Sequence, residues 1–437
     1  MQIGQINRAD ARQLLFLKRG VWLYFFLLIF EGALRKWILP GLATPLLIVR
    51  DPLALWLLVK SAELGVFVPN FSVKTVWVTS VVAFFAALFF GHGNLTVALY
   101  GLRILILHFP LMFVIGQVFN REDAIELGVV LLWINIGMTL LVAVQFFSPQ
   151  TAWVNRGVGG DAEGSGFFGT SDYYRVPGTF SFTNGLSIFY GLVASYVFYF
   201  WMDLKNEKLK KWVLIASTIS LLAAIPLSIS RTVLFEILLS FAFLCAIVVT
   251  KPQILGRIVL ALAGIFLILA VLSNFDFFRT SSSAFTERFT NANESEGGVE
   301  GVFVDRFLGG MLAALSNDAA PSFWGYGLGM GTNAGAKLMT GTRTFLISEG
   351  EWGRLIGEMG LYLGLIIILV RLFFITEVFS KSWRAVRVRN YLPWLLLSFG
   401  LILILQGQWA QPTALGFSTL AGGLILASLN YRDKKSE

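Results

Sequence analysis

The chain has 437 residues, of which 56% are hydrophobic and only 14% are charged, against about 25% charged residues in a typical soluble domain. With a mean hydropathy of +0.72, this composition excludes a soluble globular protein and leaves no soluble catalytic domain. The formal net charge is +8, but the basic residues lie at the ends of apolar runs rather than along one stripe, which argues for membrane topology and against nucleic-acid binding.

Apolar runs of roughly 18 to 24 residues, long enough to cross about 30 Å of hydrocarbon, predict about twelve transmembrane helices. The expected fold is an all-α polytopic membrane protein forming one integral membrane domain over residues 1–437. The second span is the weakest, because Arg50, Asp51 and Pro52 interrupt it. The predicted spans are 17–34, 42–60, 73–90, 95–119, 124–147, 183–202, 212–229, 231–250, 257–274, 352–374, 391–409 and 412–430.

The charges of the short loops predict the orientation. The loops 203–211, 251–257 and 380–389 and the C-terminal tail are basic, which places them and both termini in the cytoplasm. Two longer connections, 148–182 and 275–350, then lie on the opposite side. Connections of that length are commonly functional, so we expect them to form the active-site face.

The second long connection carries several local signals. Apolar residues at helical spacing between Val304 and Leu315 predict an amphipathic helix on the membrane face, preceded by a polar, mobile tip at 291–301. In the glycine-rich stretch 323–335, we expect the glycines to let the backbone approach a bulky ligand, and Trp324 and Tyr326 to stack on sugar faces. An aromatic belt at the membrane interface is the alternative for these two rings.

Arginines on the outer side are the most informative polar residues. Arg231 begins a span after almost no loop, and it either binds phosphate or extends to lipid headgroups. Arg306, beside Asp305, either serves the same chemistry or is a solvated residue of the loop helix. Arg175 precedes a Pro-Gly turn and a helix start.

Local sequence patterns predict capping or solvent exposure for several other polar residues. Thr183 or Asn184 could cap the helix that follows Arg175, and Arg279 and Arg288 are expected to be solvated.

Arg103 is an intramembrane charge that either pairs with another helix or lines a cavity. His108 lies five residues further along the same helix, about 140° away, and is expected to be a hydrogen-bonded core histidine.

The stretch Ser348–Val370 begins as a charged segment and continues as a membrane span. Ser348 and Glu351 fit a capping box, with Glu349 at the first helical position. Glu351, Arg354 and Glu358 share one face and could pair. Glu358 would lie about 10 Å beyond the first turn, so that face must turn towards protein or a wet cavity. No metal-binding motif is present, and we predict chemistry without a metal or cofactor.

Three stretches and the Glu358 segment resemble the bacterial O-antigen ligase and O-antigen polymerase superfamily of membrane glycosyltransferases. "RVPGTFSFTNG" (175–185) is similar to an R-x-x-G-T-F-x-x-x-N element, and "SISRTVL" (228–234) to an S-x-S-R helix start. "DRFLGGMLAALSNDAAPSFWGYGLGMG" (305–331) is similar to an Arg-led loop helix that closes with a G-x-G-x-G turn, and Glu358-Met359-Gly360 to an E-x-G element. The similarity covers about residues 170–370.

The resemblance implies a GT-C-like fold, with the large periplasmic loop between helices 9 and 10, and an inverting glycosyltransferase in the bacterial inner membrane. The donor would be a glycan on a polyprenyl pyrophosphate and the acceptor a sugar hydroxyl. Arg231 and Arg306 would stabilise the leaving pyrophosphate. In the ligases a histidine lies nine residues before the E-x-G glutamate; here that position is Glu349, which would act as base in a polymerase of O-antigen or exopolysaccharide repeats.

The remaining assignments combine the local patterns above with this resemblance. The expected substrate-binding residues share a location on the outer face or beside it: Arg103, Arg175, Trp324, Tyr326, Glu351 and Arg354. Membrane lipids and a chain-length regulator or flippase are the candidate partners. Three alternatives remain: an O-antigen ligase that transfers polymer to a lipid A core, a secondary transporter or lipid-linked glycan flippase, and a structural assembly partner.

Overall fold

The computed structural model describes residues 8–170, 173–295, 323–341, 346–348 and 350–430. The structure is 76% helical, and its one sheet among the described residues is a two-stranded hairpin. The helices are α1 Arg8–Ala33, α2 Arg50–Glu63, α3 Phe71–Phe89, α4 Leu95–Arg103, α5 Phe109–Val118, α6 Arg121–Phe147, α7 Thr183–Met202, α8 Lys211–Leu227, α9 Arg231–Thr250, α10 Leu255–Leu272, α11 Asp276–Ser295, α12 Asn333–Thr340, α13 Glu351–Arg387, α14 Leu392–Gln406 and α15 Pro412–Leu429. The strands are β1 Phe167–Thr170 and β2 Tyr173–Arg175.

Two π-helical turns interrupt or extend these helices. Leu34–Ile38 continues α1, and Ile104–His108 joins α4 to α5. Short 3₁₀ turns link the longer elements at Pro40–Leu42, Pro45–Ile48, Trp153–Asn155 and Pro252–Ile254. The π turns carry buried polar side chains, and they matter for the site described below.

Eight helical segments among the described residues are long and apolar enough to cross a membrane. They are Arg12–Ile38, Phe71–Phe89, Leu95–Val118, Arg121–Phe147, Thr183–Met202, Arg231–Thr250, Glu351–Arg387 and Pro412–Leu429. α8 and α14 are shorter apolar helices. The predicted class, a helical membrane protein, is therefore confirmed, while the count of twelve spans stays a prediction.

The second predicted span, 42–60, is wrong in its boundaries. The residues expected to interrupt it, Arg50 to Pro52, instead begin α2, and two proline-led 3₁₀ turns occupy 40–48. Proline favours a helix start because its ring fixes φ and removes a donor that the first turn does not use. α2 has 14 residues, about 21 Å of rise, which is shorter than the hydrocarbon core.

The centre of the bundle is built on α7. Of the most apolar 18-residue segment of α7, 89% is buried inside the protein. The corresponding share for α9 is 33%, so α9 lies at the periphery of the bundle. α5 packs along α15, and α15 packs against α14. Gly422 and Gly423 of α15 approach Met112 and Ile115 of α5 so closely that a Cβ there would collide with these side chains. Such close helix contacts are typical of membrane proteins, where small residues let backbones meet.

The connection after α10 is partly helical. α11 packs against α8 and β1. The polar tip predicted at 291–301 is wrong for its first part, because 291–295 belong to α11; 296–301 and the predicted amphipathic helix at 304–315 lie outside the described residues.

α13 is not straight. Gly360 interrupts it with φ 75° and ψ 168°, a conformation that glycine adopts readily and other residues do not. A straight helix would place Glu351 and Arg371 about 30 Å apart, yet Arg371 Nη2 lies 2.8 Å from Glu351 Oε1. The first arm (351–359) therefore folds back on the second arm (361–387), and Gly364 packs on the backbone of Leu355 and Ile356.

Candidate functional site

The long connections meet at one end of the bundle, which we call the loop end. Lys36, in the π turn that continues α1, donates to Gly178 O at 2.6 Å, and Gln145 at the end of α6 donates to the same oxygen at 3.2 Å. Ser187, near the start of α7, contacts Ser230 before α9 at 2.9 Å between hydroxyl oxygens. These contacts place the 175–185 and 228–234 stretches side by side.

A second set of contacts at the loop end brings in α13 and α15. Asn184 Nδ2 donates to Gln411 Oε1 at 3.1 Å, and Gln411 donates to Gln408 through a short hydrogen bond. Trp409, in the same 407–411 turn, donates its backbone N–H to Glu351 Oε2 at 3.1 Å. The starts of α7, α13 and α15 thus converge around this turn.

Four buried ionic side chains form the core of the site, and we call them the ion cluster: Glu351, Arg354, Glu358 and Arg371. Their side chains are 0–3% exposed. Arg354 bridges both carboxylates, with Nη2 2.8 Å from Glu351 Oε1 and Nη1 2.6 Å from Glu358 Oε2. Two carboxylates and two guanidinium groups give the cluster no net charge, which is the condition under which buried ions are tolerable.

Glu351 is saturated with hydrogen bonds. Its Oε1 accepts from Arg354 and Arg371, and its Oε2 accepts from Arg354 Nε at 2.9 Å and from the Trp409 backbone. Arg371 also lies over the Trp409 ring, with Cζ 3.6 Å from the centroid. A carboxylate that accepts four hydrogen bonds has little capacity left to take a proton from a substrate.

The capping box predicted for Ser348 and Glu351 is wrong. α13 begins at Glu351, its N-cap is Gly350, and no side chain caps it. Ser348 Oγ accepts from Gly350 N at 3.1 Å, and the Glu351 side chain turns into the ion cluster instead. Buried guanidinium groups compete for the carboxylate more strongly than a neutral backbone N–H does.

The predicted face of Glu351, Arg354 and Glu358 is confirmed as paired and buried in protein. The predicted depth of Glu358, about 10 Å beyond the first turn, stays a prediction, since Glu358 precedes the interruption at Gly360. Glu358 Oε1 accepts from Gly331 N at 2.8 Å, so the glycine-rich loop seals this side of the cluster.

The glycines of the 323–331 loop approach protein backbone rather than an open ligand space, which corrects the prediction. The kink at Gly360 leaves the carbonyl oxygens of Gly357 and Glu358 to accept from Tyr326 N at 2.8 Å and Gly327 N at 3.1 Å. Gly329, with φ 92°, lies against the backbone of α4. The loop is therefore a spacer between α13 and α4.

His92 holds the other side of this loop. Its Nδ1 accepts from Asn94 N at 2.9 Å, so the proton is on Nε2, which donates to Leu328 O at 3.1 Å. Trp324 stacks on Phe90, with centroids 5.4 Å apart and planes at 12°. Trp324 thus contacts a protein ring, whereas Tyr326 is 47% exposed and presents its ring to the surroundings.

An open cleft lies beside the ion cluster. Its empty space, counted out to the solvent, is about 250 Å³, but the part of the cleft that can hold solvent has room for only about one water molecule. Gly331, Asn333, Ser348, Glu351, Arg354, Gln408, Ala410 and Gln411 line it. The predicted substrate-binding residues Glu351 and Arg354 are therefore at the cleft.

Arg175 and Arg231 lie near the hairpin, in a different part of the loop end. Gly169 of β1 faces both the Arg175 stem and Ile229, two residues before Arg231. Ile229 is buried and has φ 47°, which is strained for a β-branched residue and is the kind of backbone found at functional sites. Arg231 is the first residue of α9, whose first turn has no acidic residue.

Arg288 also reaches the hairpin, so the prediction that it is solvated is wrong. Its Nη1 donates to Gly169 O at 2.8 Å, whereas Arg279 is exposed as predicted. The helix α11 carries Arg288 to this position because it packs on β1.

The helix caps predicted at Thr183 or Asn184 are wrong. Phe182 is the N-cap of α7 and no side chain caps the helix. Asn184 instead joins the amide chain to Gln411.

Arg103 lies outside the cleft lining and has an internal partner. Its Nη1 lies 2.8 and 2.7 Å from the two Asp51 carboxylate oxygens, and its Cζ is 4.0 Å from the Tyr100 ring centroid. His108 shares Asp51, at 3.0 Å, so the prediction that it faces away from Arg103 is wrong. The π turn 104–108 has more residues per turn than an α-helix and brings both side chains to one face. His108 is a hydrogen-bonded core residue, as predicted, since Tyr24 contacts Nδ1 at 3.2 Å.

Two of the predicted catalytic residues, Glu349 and Arg306, lie outside the described residues. Ser348 and Glu351, on either side of Glu349 and Gly350, both line the cleft. Within the described part of the chain, no three His, Cys, Asp or Glu residues are arranged to hold a metal ion.

Sequence reasoning missed Arg371, Trp409 and the glutamines of the 407–411 turn. The available signal for Arg371 was its place in the apolar run "GLIIILVRLFF", because an intramembrane arginine needs a buried partner. No pattern in the 407–411 turn indicated its role.

No family model, curated protein or solved structure matches the chain.

Proposed function

We propose that this protein is a polysaccharide polymerase that transfers a glycan from a polyprenyl pyrophosphate carrier to a sugar hydroxyl of another lipid-linked repeat. The observation that carries the proposal is the convergence of stretches far apart in sequence at one end of a membrane bundle. Asn184 joins the first stretch to the cleft, Ser230 joins the second to α7, and Gly331 joins the glycine loop to Glu358.

The proposed chemistry needs a base, fixed cations and an anchor in the membrane. Glu349 is the proposed base, since the other two carboxylates of its segment, Glu351 and Glu358, are engaged by buried arginines. Arg231 and Arg306 are proposed to stabilise the leaving pyrophosphate, supported by Arg175. The apolar helices supply the surface along which a lipid carrier would lie. In this proposal the loop end faces the periplasm of a bacterial inner membrane.

Intramembrane charges favour a second candidate function, transport of a lipid-linked glycan. Asp51, Arg103 and His108 form an ionic group in which His108 is buried and the other two side chains are 14% and 11% exposed, and Glu236 has a buried carboxylate oxygen without a hydrogen-bond partner among the described residues. Such groups are common in coupled transporters.

The deciding experiment analyses lipid-linked and surface glycans in a deletion strain complemented with wild type, Glu349→Gln, Arg231→Ala or Arg306→Ala. Arg279→Ala is the matched control, because that arginine is exposed. We expect single repeats on the carrier and no long polymer in the strains with Glu349→Gln, Arg231→Ala or Arg306→Ala. The strain with Arg279→Ala should make normal polymer.

Other outcomes would indicate a different function or a different base. Long polymer retained on its carrier indicates a ligase, and repeats retained on the cytoplasmic side indicate a flippase. Normal polymer length from Glu349→Gln, at a normal protein level, would remove Glu349 as the base.

A further inference from the structure

We infer that Glu236 of α9 is a proton-binding site inside the membrane, and that α9 keeps its present contact with α7 while Glu236 carries the proton. This inference goes beyond the proposed function, and it holds for a glycosyltransferase and for a transporter alike.

Glu236 lies within a membrane-spanning helix without a partner for its carboxyl group. It is five residues, about 7.5 Å of helical rise, from Arg231 at the start of α9. Its Oε2 atom is enclosed by protein and has no hydrogen-bond partner among the described residues. By contrast, the buried carboxylates of Glu31, Glu351 and Glu358 each contact an arginine. Glu236 therefore requires a different way of avoiding a buried charge.

The carboxyl group of Glu236 occupies a notch in α7. A Cβ atom at Gly191 would overlap Oε2 of Glu236 and would also contact the ring of Phe399 on α14. Gly191 thus provides the room that the carboxyl group needs, at the position where a larger residue would displace it. The groups that border the notch are a helix backbone and an aromatic ring, neither of which neutralises an ionised carboxylate.

The elements around α9 bring no neutralising charge to Glu236 within the described part of the chain. α9 packs mainly against α7, α14, α8 and α13. α14 has no titratable residue, and α8 has only Lys211, at the end remote from α9's first turn. The charges of α13 belong to the ion cluster or lie from Glu377 onward. Arg231 lies about 140° around the α9 axis from Glu236. The titratable residues of α7 are tyrosines whose hydroxyl groups bond to Thr139, Ala124 O and Asp203: Tyr190, Tyr196 and Tyr199.

A proton is the ligand that fits this environment. An unpaired, ionised carboxylate in an apolar interior costs several kcal/mol, and such a group avoids that cost by taking up a proton. A bound metal ion requires several ligands, and within the described residues no three His, Cys, Asp or Glu side chains are arranged to hold one. Loss of the proton would leave a charge in the notch, so the carboxylate would leave the notch and weaken the contact between α9 and α7.

The first test labels the full-length protein in lipid nanodiscs with dicyclohexylcarbodiimide, an apolar reagent for protonated carboxyl groups. The carboxyl proton moves to a carbodiimide nitrogen and the carboxyl oxygen bonds to the central carbon. The acyl group then migrates from that oxygen to nitrogen, which gives a stable N-acylurea. Glu236 is partly exposed, and α9 lies at the periphery of the bundle, so the reagent can approach from the lipid.

We expect peptide mass spectrometry to find the adduct at Glu236 near neutral pH, and to find progressively less of it as the pH rises. Glu377 is the matched control within the same protein. It carries the same side chain, is 43% exposed and pairs with Lys381, so it should stay ionised and unlabelled.

The second test compares the wild type with Glu236→Gln, which keeps the size and neutrality of the protonated acid and cannot ionise. As the pH rises, the melting temperature of the wild type should fall relative to that of Glu236→Gln. The reason is that the folded wild type holds a proton that the unfolded chain releases, so a lower proton concentration favours unfolding. The inference is overturned if Glu236 and Glu377 are labelled alike, or if the two proteins melt with the same pH dependence.

Discussion

Replacing Arg371 by methionine should destabilise the protein far more than replacing an exposed lysine of the same helix. Arg371 is 1% exposed, and its loss would leave Glu351, Arg354 and Glu358 with a net charge of −1 inside the bundle. Removing one partner of a buried ion pair costs about 3–5 kcal/mol. Because Glu351 keeps Arg354 and the Trp409 N–H, we expect the lower end, about 3 kcal/mol.

The matched control is Lys381→Met. Lys381 pairs with Glu377 one turn away on α13, but the two side chains are 53% and 43% exposed. An exposed pair of this kind contributes less than about 1 kcal/mol. The free energy of unfolding of both variants would be measured by denaturant titration in mixed detergent micelles.

A double variant separates charge from packing. Arg371→Met combined with Glu351→Gln restores neutrality, because Arg354 then faces only Glu358. The double variant should be more stable than the sum of the two single losses predicts, by about 1 kcal/mol or more. If Arg371→Met costs no more than Lys381→Met, or if the single losses simply add, the charge-balance argument is refuted.

Three further changes test other parts of the site, each by the same unfolding measurement. Gly360→Ala should cost about 2 kcal/mol, since φ is 75° and a Cβ would meet the glycine loop, whereas Gly137→Ala, which has open space around it, should be neutral or slightly stabilising. Equal stability of the two variants would contradict the kink. Asp51→Asn should cost about 2–4 kcal/mol, because it leaves the Arg103 guanidinium, whose side chain is only 11% exposed, without a carboxylate, and an unchanged stability would contradict that pairing. Trp324→Ala should cost about 2 kcal/mol by loss of ring packing and Tyr326→Ala less than about 1 kcal/mol; the opposite order would show that Trp324 is not a packing residue.

Hydropathy predicted the positions of the helices well, because every apolar run must form backbone hydrogen bonds within itself in a membrane. The failure at 42–60 has a physical reason. The run "ILPGLATPLLIV" is almost entirely apolar, but Pro40 and Pro45 favour short 3₁₀ turns, and Pro52 lies within the first turn of α2. A hydropathy value averaged over a window does not show where a proline allows a helix to begin.

The reversal at Gly360 could not be predicted from hydropathy. Glycine is common inside membrane helices, and the residues on both sides of Gly360 are apolar, so the sequence is also compatible with one straight span. On a straight helix the neighbours of Glu351 are three to seven residues away, which points to Arg354 and Glu358 alone. Arg371, 20 residues further on, becomes a neighbour only because the two arms fold together. The same limitation applies to His108, whose place beside Arg103 depends on a π turn.

The buried ion pairs also bear on the rigidity of the proposed catalytic site. The ion cluster ties the first arm of α13 to its second arm, to the 407–411 turn and to the glycine loop. Elsewhere Arg50 ties α2 to Glu31 of α1 and to Pro412 O at the start of α15. Sliding one of these elements by a helical turn would leave several buried charges unpaired, at a cost of about 3–5 kcal/mol each. The proposed glycosyltransferase needs its donor, acceptor and base held at fixed separations, and paired charges that resist such a slide would supply that rigidity.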